Sequence, residues 1–253
     1  MLKSAAAAGV TRQGVWTPAT LPDAVSNATF FYSANQGPDF TDQSGNGNNG
    51  TITTVGSGGV SSLTHTTGRG AYWQLTTSDS TSEQKYVETP VSPGIINSAT
   101  TTSWTLAVVN YQTANAFALM AIDGGGGPDG ISLNVQYDDY MRGAWFGSYT
   151  VQVLSSTTYS TDTWYLIASG HGPNGSSTFG SGTSLWVNNS VVGNTATVND
   201  LNVSDNLRIG FDTLTFSAPN DFKIAAVGWW ADYSLTSGDL TAFYNYYNQE
   251  VGL

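Results

Sequence analysis

Apolar and polar residues alternate along most of this chain with a period of two, the period of a strand that buries one face. Ile131-Ser132-Leu133-Asn134-Val135-Gln136-Tyr137 alternates strictly, and Ser103-Trp104-Thr105-Leu106-Ala107-Val108-Val109 sets Trp104, Leu106 and Val108 on one side. Shorter runs recur between turn signals, among them Thr29–Tyr32, Thr51–Val55, Ala71–Leu75, Lys85–Glu88 and Phe117–Ile122. Gly143–Phe146, Tyr149–Val153, Trp164–Ala168, Ser184–Val187, Leu207–Gly210 and Phe222–Val227 continue the series. About twelve to fourteen strands, with no internal repeat, are expected. Gly147-Ser148 is placed to join one hairpin and Asn188-Asn189 another, since Asn tolerates the positive φ of a tight turn. Trp229 and Trp230 are neighbours on a strand and must face opposite ways, so one of them is expected outside the core.

Two segments depart from this period. At the C-terminus Thr236 is placed to cap a helix, with Asp239 completing a capping box. Leu240, Phe243, Tyr244 and Tyr247 then fall at i, i+3, i+4 and i+7, an apolar stripe expected to lie against the strands. Residues 1–22 show no core periodicity and carry Pro18 and Pro22. They read as an N-terminal arm, with residues 23–253 as one β domain.

Composition changes the picture of the surface more than that of the core. Of 253 residues, 40% are apolar, including 8 Trp, 13 Tyr and 10 Phe, and only 10% are charged. Soluble proteins average about 25% charged residues, so this surface must be built from Ser, Thr, Asn and Gln. Seven basic against 18 acidic residues leave a formal net charge of −11, and Lys3, Arg12, Lys85 and the other cations are scattered. Nucleic-acid binding needs a cluster of cations on phosphates, and an anionic membrane repels such a chain, so neither partner is expected. The chain has no cysteine, which excludes disulfides and thiolate metal sites. The apolar stretch after Lys3 is short and made of alanine, and no window approaches the ~18 apolar residues of a membrane span. A protein made in the cytoplasm, without signal peptide or transmembrane segment, is the expectation.

The segment Asp42-Gln43-Ser44-Gly45-Asn46-Gly47-Asn48-Asn49-Gly50-Thr51 is the most distinctive in the chain, with no hydrophobic residue. Its Gly and Asn residues accept positive φ, and its Asp and Ser side chains accept backbone hydrogen bonds, so it reads as a self-bonded turn between strands. It resembles the D-x-S-G-N-G-N-x-G signature near the start of concanavalin A-like, laminin-G-type lectin domains. Later segments follow the order of that family: Leu185-Trp186-Val187-Asn188-Asn189, then Leu207-Arg208-Ile209-Gly210, then Phe222-Lys223-Ile224-Ala225-Ala226-Val227. Tyr233-Ser234-Leu235-Thr236 with Asp239-Leu240 and Phe243-Tyr244 closes the series. Asn189, and Asn220-Asp221, stand where the family has glycine. The resemblance covers residues 24–250 and implies an all-β, antiparallel jelly-roll sandwich with one short C-terminal helix. The opening from Trp16 to Pro22 also resembles the starts of laminin-G-type proteins of tailed bacteriophages.

Catalysis finds little support. Glycoside hydrolases of this fold use a Glu-x-Asp-x-x-Glu strand, whereas Glu83, Glu88 and Glu250 are the only glutamates and none sits in such a motif. Paired carboxylates must also share one side of the sugar, at ~5 Å or ~6.5–9.5 Å. No G-x-S-x-G exists, and His65 and His171, set among Ser, Thr and Gly, read as solvated loop histidines. Glycines 124–127 lack the lysine of a phosphate loop. Calcium is the cofactor to consider, because such lectins bind it through Asp, Asn and carbonyl oxygens. Asp42 with Asn46 and Asn48, or Asp123 with Asp129, are candidates, although turn formation explains the same residues. For glycan binding the candidates are Asp138, Asp139, Tyr140 and Trp145, an aromatic–acidic mixture. The resemblance implies a non-enzymatic virion protein, a capsid decoration or fibre component present as a homo-oligomer or in high copy. Its arm (Arg12, Trp16, Pro18) would attach to capsid or tail proteins and its sandwich would meet cell-surface glycans. A bacterial carbohydrate-binding module or adhesin domain is the alternative.

Overall fold

The computed structural model describes residues 20–55, 62–76, 84–96, 103–112, 120–121, 130–135, 140–146, 151–172, 183–195, 201–203, 205–210 and 222–253. The strands in the first part of the chain are β1 (Phe30–Ser33), β2 (Thr51–Val55), β3 (Ser62–His65), β4 (Trp73–Thr76), β5 (Gln84–Glu88), β6 (Gly94–Ile96), β7 (Trp104–Gln112) and β8 (Met120–Ala121). Then come β9 (Gly130–Val135), β10 (Tyr140–Phe146), β11 (Val151–Thr158), β12 (Thr163–His171), β13 (Thr183–Val187), β14 (Ser190–Thr195), β15 (Leu201–Val203), β16 (Arg208–Ile209) and β17 (Phe222–Ala231). An α-helix, α1 (Ser237–Val251), the one α-helix among the described residues, follows them.

One sheet runs β14-β13-β12-β7-β17-β4-β3, with β1 also paired to β17, and the second runs β11-β10-β9-β8-β16-β5-β2. β6 and β15 form a separate pair. The pairings are antiparallel, and the last strand, β17, lies centrally between β7 and β4. That exchange of early and late strands makes the architecture an antiparallel jelly-roll sandwich, as the sequence led one to expect. β3, β6 and β15 are short strands that periodicity did not single out.

Alternation drives the packing of the two sheets. Leu106, Val108, Ile167, Leu185 and Trp229 from one sheet meet Val87, Ile131, Leu133, Met141, Val153 and Ile209 from the other in a single buried cluster. Fully burying each such side chain stabilises the fold by roughly 1.5–3 kcal/mol. One irregularity breaks the period: the register of β17 against β7 shifts between Ile224 and Ala226. This bulge lets Ile224 and Val227 both join the inner cluster although they are three positions apart, an odd offset that would put them on opposite faces of a regular strand.

The eight-stranded sheet has a second apolar layer on its other face. Leu240, Phe243 and Tyr247 of α1, with Val25 of the 3-10 turn Asp23–Asn27, bury Phe31, Ala107, Leu166, Ala226 and Trp230. Both tryptophans of the Trp229-Trp230 pair are therefore buried, at 1% and 0% exposure, which corrects the expectation that one lies outside the core. The face opposite the inner core is covered by helix, and the Trp230 indole N–H finds its acceptor there, Ala24 O at 2.9 Å. Gly228 makes the fit possible, because a Cβ there would lie 2.6 Å from Phe31 and 2.7 Å from Trp230.

The helix begins as its sequence predicts. Thr236 Oγ1 accepts from Asp239 N at 3.1 Å, and Asp239 Oδ2 accepts from Thr236 N at 2.8 Å. Such caps contribute about 1 kcal/mol. Gly252 closes the helix in the left-handed conformation, φ 79°. Leu240, Phe243 and Tyr247 are buried as expected, Tyr244 only half so, and Tyr246 joins the buried face.

Candidate functional site

The Asn/Gly segment between β1 and β2 folds around one carboxylate. Asp42 Oδ1 accepts from Phe31 N at 3.0 Å and Ser44 N at 2.9 Å, and Oδ2 from Ser44 Oγ at 2.8 Å and Asn48 N at 3.0 Å. Asn49 Oδ1 accepts from Asp42 N at 2.9 Å, while the amides of Asn46 and Asn48 donate to Ala28 O and Thr29 O, each at 2.8 Å. Gly45 and Gly47 supply the positive φ the turn requires, 91° and 77°. N–H and O–H donors thus converge on Asp42, which is only 9% exposed. A calcium ion could bind this carboxylate only by displacing those donors. The Tyr32 hydroxyl beside it donates to Asn48 O at 2.6 Å, and burial, then the Asp42 charge, push its pKa far above the ordinary phenol value. Among the described residues no three or more His, Cys, Asp or Glu side chains gather as a metal cluster.

The predicted glycan residues are only partly described. Tyr140 opens β10, half-buried and opposite Thr158, and Trp145 lies on the same strand opposite Ile131 and Val151. Asp138, Asp139, Asp123 and Asp129 lie outside the described residues, as do Arg12, Trp16 and Pro18 of the arm. The β10–β11 pairing anticipated on either side of Gly147-Ser148 is present, although its turn is not among them. Asn188 turns β13 into β14 with φ 52°, as its position implied.

The histidines are not in solvated loops, contrary to the sequence reading. His171 ends β12 and is buried at 5% exposure, and the His65 ring, on β3, is bonded to Ala34 O at 2.8 Å. His65 sits on a four-residue strand that periodicity did not single out, and β12 runs three residues beyond the expected end at Ala168 to include His171. Glu88 faces Arg208 at 3.6 Å on the seven-stranded sheet, whereas Glu250 belongs to α1 outside the other sheet. Burial raises the Glu250 carboxyl above the ordinary value, against an opposing effect of Arg69. These two glutamates are thus on opposite sides of the sandwich and cannot act as a catalytic pair.

A different cluster stands out on the helix side of the eight-stranded sheet. The register aligns Trp164 of β12 with Tyr111 of β7, and Tyr111 with Lys223 of β17. Tyr72, just before β4, completes the group. The Trp164 ring lies 5.4 Å from Tyr111 and 5.8 Å from Tyr72, centroid to centroid. Lys223 Nζ sits 4.5 Å from the Tyr111 centroid and 5.2 Å from that of Tyr72, within the range of cation–π attraction. All four side chains are half-buried, and Trp164 packs on the rim of the helix-side core. The loop leading into Tyr72 is tied to the end of α1 by Arg69, which donates to Gln249 O at 2.9 and 2.6 Å. Sequence reasoning missed this site because its members come from four separated segments that only strand register brings together.

No protein family's sequence profile matches the chain, and no curated protein matches it in sequence. Its fold is nonetheless shared. The binding domain of Paraclostridial Mosquitocidal Protein 1 superposes with TM-score 0.62 at 10% identity, over 89% of this chain and 53% of that one. The ligand binding domain of Botulinum neurotoxin serotype D, in complex with N-acetylneuraminic acid, gives 0.58 at 13% identity, over 87% and 51%. Domain 4 of AbnA, a GH43 extracellular arabinanase from Geobacillus stearothermophilus in complex with arabinotriose, gives 0.55 at 16% identity, over 85% and 97%. The chain spans about half the length of the two toxin structures and nearly all of the arabinanase domain. These likenesses concern the fold.

Proposed function

We propose that this protein is a non-enzymatic, glycan-binding β-sandwich. The observation that carries this reading is the half-exposed trio Tyr72, Tyr111 and Trp164 beside Lys223. Sugar rings offer apolar C–H faces that stack on aromatic side chains, while their hydroxyls and acidic groups seek polar partners. A ligand site that joins aromatic walls to a few placed polar groups meets both needs. Two structures of this fold that hold a sugar support the reading. Tyr140 and Trp145 of the other sheet, with their sequence neighbours Asp138 and Asp139, are proposed as a second contact region.

The chain from Trp16 to Pro22 favours a virion as the setting, because of its likeness to the openings of phage laminin-G-type proteins. In that setting Arg12, Trp16 and Pro18 attach the protein to a capsid or tail partner and many copies present the sandwich outward. A bacterial adhesin or carbohydrate-binding module fits the same sandwich about as well. The sandwich would meet a glycan in either setting, so one experiment serves both. Labelled intact protein, applied to a printed glycan array, is expected to mark a restricted set of glycans. A blank array at micromolar protein, with the protein shown to be folded, would leave only a structural part.

A further inference from the structure

The aromatic trio alone would suit any sugar; the lysine in it would not. Lys223 stands on the central strand β17, and its ammonium lies over the faces of both tyrosines. In a chain with 18 acidic residues and only 7 basic ones, no carboxylate among the described residues lies within ion-pair distance of this cation. Two arginines elsewhere are already engaged: Arg208 pairs with Glu88 on the other sheet, and Arg69 is held on Gln249 O. Ring contacts orient the ammonium and shed part of its water, but they neutralise no charge. An incoming anion would gain a charge-assisted hydrogen bond, about twice as strong as a neutral one.

We infer that this face selects acidic sugars, those bearing a carboxylate or sulfate, with Lys223 as the counter-ion and Trp164, Tyr111 and Tyr72 as the stacking walls. This rests on the proposed glycan-binding reading and adds the class of sugar to it. The net charge of −11 opposes anions at long range. At physiological ionic strength, however, exposed charges are screened beyond ~8 Å, so the local ammonium decides the outcome at contact. Recognition should therefore weaken as salt is raised.

The test is an array printed with matched glycans, each neutral core carried plain, carboxylated and sulfated, and probed with wild type, Lys223→Met and Lys223→Arg. Methionine keeps the apolar stem and removes the charge, while arginine keeps the charge; equal melting temperatures establish that both fold. Wild type is expected to bind acidic members at least ten-fold better than their neutral cores. Lys223→Met should lose that preference, Lys223→Arg should retain it, and raising NaCl should narrow it. Which anion gives the stronger signal separates carboxylate from sulfate recognition. Hits confined to neutral glycans, or an acidic preference intact in Lys223→Met, overturn the inference and leave the glycan-binding reading standing. A blank array removes that reading itself, and the inference with it.

Discussion

Asp42→Ala is expected to lower the stability of the folded protein by about 3 kcal/mol, a fall in melting temperature of roughly 6–12 °C for a domain of this size. The carboxylate accepts from Phe31 N, Ser44 N, Ser44 Oγ and Asn48 N. Alanine leaves all four donors without this acceptor, and the bond to Phe31 N is buried, where water does not easily replace it. An unsatisfied buried donor costs ~1–3 kcal/mol, whereas the partly exposed ones recover some of theirs from solvent. Asp42→Asn keeps one oxygen but turns an amide N–H toward another N–H, so it should recover less than half of the loss. Thermal unfolding followed by circular dichroism measures both variants. A wild-type melting temperature in Asp42→Ala would show that the carboxylate does not hold the turn.

The second large effect lies on the helix. Leu240 is fully buried between α1 and the eight-stranded sheet, in the cluster that also contains Phe243, Tyr247 and Trp230. Leu240→Asp removes a side chain from that layer and puts an unpaired carboxylate in its place, at a cost of roughly 2–4 kcal/mol. The helix start is unaffected, since Thr236 and Asp239 still cap it. Loss should therefore appear as undocking: weakened near-ultraviolet signals from Trp230 and Phe243 together with a lower denaturant midpoint. If the midpoint is unchanged, the helix does not depend on this face.

How much of this was legible in the sequence depended on how local the cause was. Strict alternation in Ile131–Val135 reproduced itself as β9, and the stripe Leu240, Phe243 and Tyr247 as the buried face of α1. The capping box and the Asn188 turn were equally readable, because each is decided within a few residues. Trp230 was misjudged because a period of two separates the faces of a strand without saying what covers them. The bulge at Ile224–Ala226 was invisible for a related reason: it is a relation between β17 and β7, and neither strand shows it alone. Asp42 illustrates an intermediate case. Its segment declared a self-bonded turn, but the contact with Phe31 N comes from strand β1 and had to be seen.

The same distinction governs the candidate site. Asp138 to Trp145 attracted notice because aromatic and acidic residues are adjacent in the chain, whereas Tyr72, Tyr111, Trp164 and Lys223 become neighbours only across strands. No local motif predicts such a group. The one available signal is a half-exposed aromatic at matching register on successive strands, which requires the pairing to be known first.

Sugar binding by the Tyr72–Tyr111–Trp164 face is measured by calorimetric titration of an array-selected glycan into wild type and Trp164→Ala. Trp164 is only half-buried at the rim of its cluster, so the variant should remain folded. The expected result is saturable binding to wild type and at least ten-fold weaker binding to Trp164→Ala at an unchanged fold. Equal affinity in the two proteins would contradict the claim and place the glycan elsewhere on the sandwich.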